Sequence, residues 1–278
     1  MKEFWQRYRR NKGAVVGLFM LLLIIIVAAI APLLFPASPW EMAGAPFQRP
    51  FGEYPLGTDM LGRNILSGIV HGARVSLMVG IVSTVFAVTL GLAFGALAGY
   101  FGGVIDDALM RFTEFFQTIP SFVFAIVLVA IFRPSIVSIV AAIAVVSWPP
   151  VARLVRGEFL SLRRREFVQA AVVIGESHLK IILGQILPNA LSPVIVMASL
   201  MIASAILLES ALSFLGLGDP NMMSWGYMIG ASRSVIRQAW WMSTFPGVAI
   251  LITVLALNLV GEGLSDAMNP RLARKGRA

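Results

Sequence analysis

The order of apolar and polar positions divides this chain into long apolar runs separated by short polar ones. Six runs, at roughly 13–35, 75–99, 109–132, 136–154, 191–215 and 244–263, approach or exceed the length needed to cross about 30 Å of hydrocarbon as helices. A segment holding Pro36, Pro39, Pro46, Pro50 and Pro55 separates the first two, which predicts an ordered excursion without long helices. Only 133–135 separate the third run from the fourth, so those two pair tightly. The fourth meets Pro149 and Pro150 near its end, where a kink is expected. The pattern predicts an all-α membrane protein with six transmembrane helices.

One stretch between the fourth and fifth runs fits neither a span nor a slack loop. It is QAAVVIGESHLKIILGQILPN, residues 169–189. Before Gly175, EFVQAAVVI is compact and helix-forming. After it, Ser177 is an expected N-cap, and Leu179, Ile182, Leu183 and Ile186 fall at the i, i+3, i+4 and i+7 positions of one helical face. Pro188 is expected to stop the run. A short helix, a glycine bend and a second helix are therefore predicted. With Lys180 as the only Lys or Arg between 176 and 188, the second helix suits a protein partner better than lipid headgroups.

Composition agrees with a lipid environment. The chain has 278 residues, 58% hydrophobic and 13% charged, with a mean hydropathy of +0.84. Its net charge of +8 is not the footprint of nucleic-acid binding, because the bases cluster at the ends of apolar runs. They concentrate in Lys2, Arg7, Arg9, Arg10 and Lys12, in the segment from Arg153 to Lys180, and in Arg271, Arg274, Lys275 and Arg277. An even number of spans puts all three groups on one side, and the positive-inside rule makes that side cytoplasmic, with both termini. The first apolar run is longer than the core of a cleaved signal peptide, so a retained span is expected. The chain has no cysteine, and its two histidines, His71 and His178, are far apart. Disulfides, thiolate sites and a metal centre are not expected.

Within the second span, Gly91, Gly95, Gly99 and Gly103 recur every fourth residue, continuing from Ala87. Such a strip lets another helix lie close; it serves packing inside the chain or lines a pathway and subunit interface. Glu209 lies deep in the fifth span, where a carboxyl is either near a substrate path or a structural, partnered group. Arg111 and Glu114, one turn apart, are expected to pair. No lysine follows a glycine, so there is no phosphate-binding G-x-x-x-x-G-K-[ST] loop, and neither G-x-S-x-G nor H-E-x-x-H occurs. If nucleotide drives this protein, hydrolysis belongs to another chain, and 169–189 is where force would enter. A self-sufficient secondary transporter and a membrane-embedded enzyme are competing readings. No clear repeat supports the first, and no recognisable acid/base pair or nucleophile supports the second.

The stretch resembles the cytoplasmic loop of ABC importer permeases, with its pattern E-A-A, three residues, Gly, nine residues, I-x-L-P. Gln169-Ala170-Ala171, Gly175 and Leu187-Pro188 match that spacing, with Gln169 replacing Glu and Gln185 replacing Ile. PLGTDMLGRN (55–64), and LSFLGLG followed by Ser224-Trp225-Gly226, are similar to hallmarks of the C-type permease of dipeptide, oligopeptide and nickel importers, with Asn64 replacing Asp. The resemblance runs from about Lys2 to Arg271.

It implies a type I importer fold with cytoplasmic coupling helices. The divisions expected are a cytoplasmic tail (1–12), a first span with a periplasmic loop (13–74), a permease core (75–263) holding the coupling loop 155–190, and a cytoplasmic tail (264–278). The implied partners are a second permease, two ATP-binding subunits that carry ATP and Mg, and a substrate-binding protein outside the bacterial inner membrane. Membrane lipid surrounds the chain, which needs no cofactor of its own. Glu166, Gln169, Ala170, Ala171, Gly175, Leu179, Ile182, Leu187 and Pro188 would couple to the ATPase. Glu209, Gly91, Gly95 and Gly99 are pathway or interface candidates.

Overall fold

The computed structural model of the protein describes residues 2–268, which are helical with no β-strand among them. In chain order the helices are α1 (Lys2–Arg10), α2 (Lys12–Ala29), α3 (Ala31–Leu34), α4 (Ile65–Phe101), α5 (Gly103–Thr118), α6 (Ser121–Phe132), α7 (Ile136–Leu162), α8 (Glu166–Val173), α9 (His178–Lys180), α10 (Leu187–Leu212), α11 (Trp225–Ser232) and α12 (Trp241–Met268). π-Helical turns at Ile181–Ile186 and Ser213–Leu217 flank α10. The basic residues Arg271, Arg274, Lys275 and Arg277 lie outside the described residues.

Five helical stretches are long and apolar enough to cross a membrane: α2, α4, α7, α12 and the run His178–Leu217. The third expected span, 109–132, is not one helix but the pair α5 and α6, bent by 84° at Ile119-Pro120. Pro120 has no amide hydrogen and disfavours helical geometry in the residue before it, and Ile119 is extended there. The second span starts at Ile65 rather than near 75, because Asn64 caps it. The Asn64 Oδ1 accepts from Leu66 N at 2.9 Å and Ser67 N at 3.4 Å. The fourth span does not stop after Pro149 and Pro150 but runs to Leu162, so 155–162 is helix end rather than loop.

Four helices make the centre. Gly91, Gly95 and Gly99 put α4 directly on α7: a Cβ at Gly91 would lie 2.5 Å from Val151 Cβ, and one at Gly95 2.4 Å from the Ala152 oxygen. Val151, Val155 and Phe159 of α7 close a core with Ile181, Ile186, Ala190 and Val194. A second core joins Ala73 and Leu77 of α4 to Ile206 of α10, Trp225 of α11, and Ile250 and Leu257 of α12. α2 lies outside these, against α12, where a Cβ on Gly17 would sit 2.5 Å from Leu259 Cβ. Most of its apolar residues, such as Val16, Phe19 and Leu23, stay exposed.

The bundle has two chemically distinct ends. At the basic end, Asn11 Nδ2 donates to Asp266 Oδ2 (2.9 Å), Arg163 Nη1 donates to the Tyr100 oxygen (2.8 Å), and Tyr100 Oη bonds His178 Nδ1 (2.8 Å). At the opposite end, Trp241 Nε1 donates to the Thr58 oxygen (3.1 Å), His71 Nε2 bonds the Phe35 oxygen (3.0 Å), and Ile136 N donates to Asp219 Oδ2 (2.8 Å). The Pro-rich excursion is thus tied to α12, and no helix of span length lies within it.

Candidate functional site

The segment at the basic end is a knuckle with two arms. The first arm is α8; the chain then reverses through Gly175, whose φ of 79° lies in the left-handed region where a side chain is strained. The second arm differs from the separate amphipathic helix expected from the sequence. It runs from His178 through a π turn into α10, and Pro188 occupies the first turn of α10 instead of ending a helix. Wider π winding brings Ile181, Ile182 and Ile186 to the core while Leu179 and Leu183 turn outward, so the expected single face is split. Ser177 stands at the N-cap position without a side-chain capping bond.

Of the expected coupling residues, Glu166, Gln169, Ala170, Gly175, Leu179 and Pro188 are exposed, Ala171 and Ile182 are buried, and Leu187 is half-buried. Around Gly175 the surface is strongly apolar: Val173 is 86% exposed, Ile174 75% and Leu179 67%, with Val172 and Phe167 beside them. A side chain built on Gly175 would meet nothing within 4 Å. Two departures from the motif have their own bonds. Gln169 Nε2 donates to the Arg163 oxygen at 2.9 Å, a bond an ionised Glu cannot make. Gln185 Nε2 donates to Glu176 Oε2 at 3.4 Å. The hydrogen bond from Lys180, 2.8 Å away, holds the Glu176 carboxyl below its ordinary range.

The other two motifs turn out to be joints. Glu209 is 1% exposed, and its Oε1 accepts from Ser213 Oγ and Ser224 Oγ, each at 2.8 Å. Ser224 Oγ in turn accepts from Tyr227 N (2.9 Å), capping α11. Gly226 lets the carboxylate in: a Cβ there would lie 2.8 Å from both Glu209 oxygens. Trp225 fixes the other side of α11, its N donating to Ser76 Oγ (3.1 Å) and its Nε1 to the Ile69 oxygen (2.9 Å). Glu209 is therefore a partnered group inside the chain, linking LSFLGLG to Ser224-Trp225-Gly226. In the remaining motif, Asp59 Oδ1 accepts from Leu61 N (2.8 Å) and Arg63 N (2.9 Å), and Asn64 caps α4. Above it, Phe51 is 85% exposed at a φ of 69°.

The glycine strip is covered by α7 of the same chain, as the packing reading expects. Gly103 leaves the strip and starts α5 at a φ of 54°. Arg111 and Glu114 make no ion pair among the described residues. The bond that forms instead joins Asp106 to Arg156, two-pronged at 2.5 and 2.7 Å. Its partners stand fifty residues apart and carry no local signal; the serines around Glu209 were open to partial inference, since Ser213 lies one turn after it.

The described residues form a multi-pass helical bundle with an apolar knuckle at one end. Residues 91–274 match the model of the binding-protein-dependent transport system inner membrane component, and residues 1–50 match the N-terminal membrane domain of oligopeptide transport permease C. The di/tripeptide transport system permease protein DppC of Pseudomonas aeruginosa is 40% identical over 98% of this chain and 92% of its own length. The dipeptide permease protein DppC of Escherichia coli K12 is 41% identical over 98% and 93%, and the oligopeptide permease protein OppC of Haemophilus influenzae 40% over 97% and 89%. Inward-facing structures of the MetNI methionine ABC transporter share the fold, one with a TM-score of 0.61 at 16% identity over 74% of this chain and 98% of that one. The chain belongs to the inner-membrane permease components of binding-protein-dependent ABC importers, in the C-type branch of the dipeptide and oligopeptide systems.

Proposed function

We propose that this chain forms, with a second and different permease, the path by which a small peptide crosses the bacterial inner membrane. ATP, with its Mg, is hydrolysed on two separate subunits. Closure of those subunits moves the permeases through the knuckle at 166–188, with Gly175 and the exposed coupling residues in contact with the ATPase. The basic end and both termini face the cytoplasm, and a substrate-binding protein docks at the opposite end, over the excursion that presents Phe51. The peptide class rests on the relatives' printed substrates, dipeptides, tripeptides and oligopeptides.

The observation that carries the coupling role is the apolar surface at Val172, Val173, Ile174 and Leu179. It lies beyond the bases that mark the membrane edge. Contiguous apolar surface in water is a mark of a binding site. Affinity purification of the tagged chain tests the reading, with Gly175→Asp alongside. A second permease and ATPases recovered with the native chain, and ATPases lost from the mutant, are the expected result. A chain that purifies alone and transports in liposomes without ATP would overturn it.

A further inference from the structure

The least explained charges in the molecule line a recess of about 460 Å³ between α5 and α7, formed by Asp107, Met110, Arg111 and Glu114 on the first helix and Arg153 and Arg156 on the second. Its size is within the range of about 300–1,000 Å³ typical of small-molecule sites. The antiparallel pairing of the two helices fixes its depth. Asp106 meets Arg156, and the Phe116 ring lies 5.4 Å from that of Trp148, so Glu114 stands level with the turn after Trp148 and Arg111 close to Arg153. Counting down α7 from its capped start at Ile136, at about 1.5 Å per residue, puts Glu114 about 20 Å in, inside a hydrocarbon layer about 30 Å thick.

A charge at the depth of Glu114 is costly against lipid, and faces water, protein or ligand; by the same count Arg153 and Arg156 lie about 26 and about 30 Å in, at the basic edge of the layer. Asp106 pairs with Arg156, which also attracts Asp107 and Glu114 at longer range, but Asp107, Arg111, Glu114 and Arg153 make no close ion pair among the described residues, and all four are exposed. They comprise two charges of each sign. Arg111 and Glu114 stand one helical turn apart along α5, a rise of about 5 Å, with side chains that extend the reach. The end groups of an extended dipeptide lie about 7 Å apart. α5 is also the helix that breaks at Pro120, and irregular backbone within a membrane belongs where it is covered by protein or lines a cavity.

We infer that this recess is the water-filled vestibule through which a zwitterionic peptide leaves toward the basic end. Arg111 and Arg153 receive its carboxylate, and Glu114 and Asp107 its ammonium group. The inference rests on the importer reading above and adds the site and the chemistry it recognises. Arg156 is a positioning residue: its bond to Asp106 holds α5 against α7 and keeps the other four charges on the wall of the recess, open to the peptide.

The test uses the assembled importer in proteoliposomes, with the other subunits free of cysteine as this chain already is. In Met110→Cys, charged, membrane-impermeant thiol reagents applied at the cytoplasmic face should label the nucleotide-free complex, and a dipeptide should slow the labelling. A thiol that stays unlabelled is covered by lipid or by the second permease, which overturns the vestibule. Arg111→Gln and Glu114→Gln should each lower the peptide carried per ATP by about tenfold, the scale of one charged hydrogen bond, with the ATPases still bound. The exchange Arg111→Glu with Glu114→Arg should recover most of it, because a flexible ligand reads the two signs more than their order. Uptake at the native ratio in the single variants, loss of subunits from them, or an exchange variant no better than the singles each overturns the inference, the last two in favour of a fixed contact with the second permease. A native complex that fails to couple ATP hydrolysis to uptake overturns the importer reading itself.

Discussion

At the scale of single residues, Glu209 shows how a carboxyl deep in a span is kept partnered inside the chain. Ser213 and Ser224 donate to its Oε1, the second of them capping α11, Ser210 Oγ lies 3.5 Å from its Oε2, and Gly226 leaves the space it fills. Removing the carboxyl leaves both hydroxyls without that acceptor and a void where the side chain was. Glu209→Ala should therefore destabilise the chain by about 2–4 kcal/mol, while Glu209→Gln, which keeps the shape and an accepting oxygen, should cost about 1 kcal/mol. Thermal unfolding of the purified chain in detergent reads the difference. Equal midpoints for native and Ala forms would mean that the joint contributes nothing. Asn64 is a second residue whose role is now visible. Asn and Asp cap helices equally well, so Asn64→Asp should leave the midpoint unchanged, and Asn64→Ala should lower it by the equivalent of about 1 kcal/mol. The departure from the family pattern keeps the capping chemistry.

At the scale of elements, the same residue type has opposite outcomes in neighbouring helices. Pro149 and Pro150 sit inside α7 without ending it, while Pro120 divides α5 from α6. The difference lies in what surrounds them: just after its prolines α7 is clamped from Val151 to Phe159 by the glycine face of α4, whereas α5 and α6 bury few side chains. A run of apolar residues shows that a span exists, so α2, α4, α7, α10 and α12 were legible in the sequence. It does not show where tertiary contacts override a proline. Polar residues at 65–74 likewise hid the first ten residues of α4, because Ser67, His71 and Arg74 look like loop until Asn64 caps the helix and α11 packs on it. The knuckle was legible in its bend and its exposure, but not in its π turn, which depends on packing of Ile181 and Ile186 that no spacing rule encodes. The glycine face gives the sharpest test at this scale. Gly95→Val would drive a side chain into the Ala152 oxygen and Val155, and overpacking of this kind costs about 1–3 kcal/mol. Gly247→Val, at a site where a Cβ meets nothing within 4 Å, is the control and should cost little. Equal thermal midpoints for the two would argue that α4 and α7 are not in close contact. At Gly175 the prediction separates backbone from partner. Asn tolerates the left-handed region better than most residues, and the chain itself leaves the space open. Gly175→Asn should therefore unfold like the native chain yet bind the ATPases more weakly, as measured by their recovery on purification; undiminished recovery would show that no partner backbone comes close to the bend.

At the scale of the whole molecule, stability is distributed unevenly, and the distribution bears on how such a subunit moves. α4, α7, α10 and α12 interlock through glycine contacts and shared cores. α5 buries only Asp106 and Thr113, α6 only Ala125 and Val129, and one ion pair holds their basic end to the bundle. Local opening free energy follows buried contact, so α5–α6 should exchange amide hydrogens faster than α4 and α7 in the detergent-solubilised chain. Asp106→Asn should widen the gap, raising exchange in α5 by about tenfold or more through loss of a charged two-pronged bond, while α10 and α12 stay as they were. If a second permease covers α5–α6 in the assembled importer, the gap should narrow there. Hydrogen exchange followed by mass spectrometry, on the chain alone and in the complex, makes the comparison. Slow exchange in α5–α6 of the isolated chain would show that this broken span is as firmly built as the rest, and that motion must instead be sought where α2 and α12 meet.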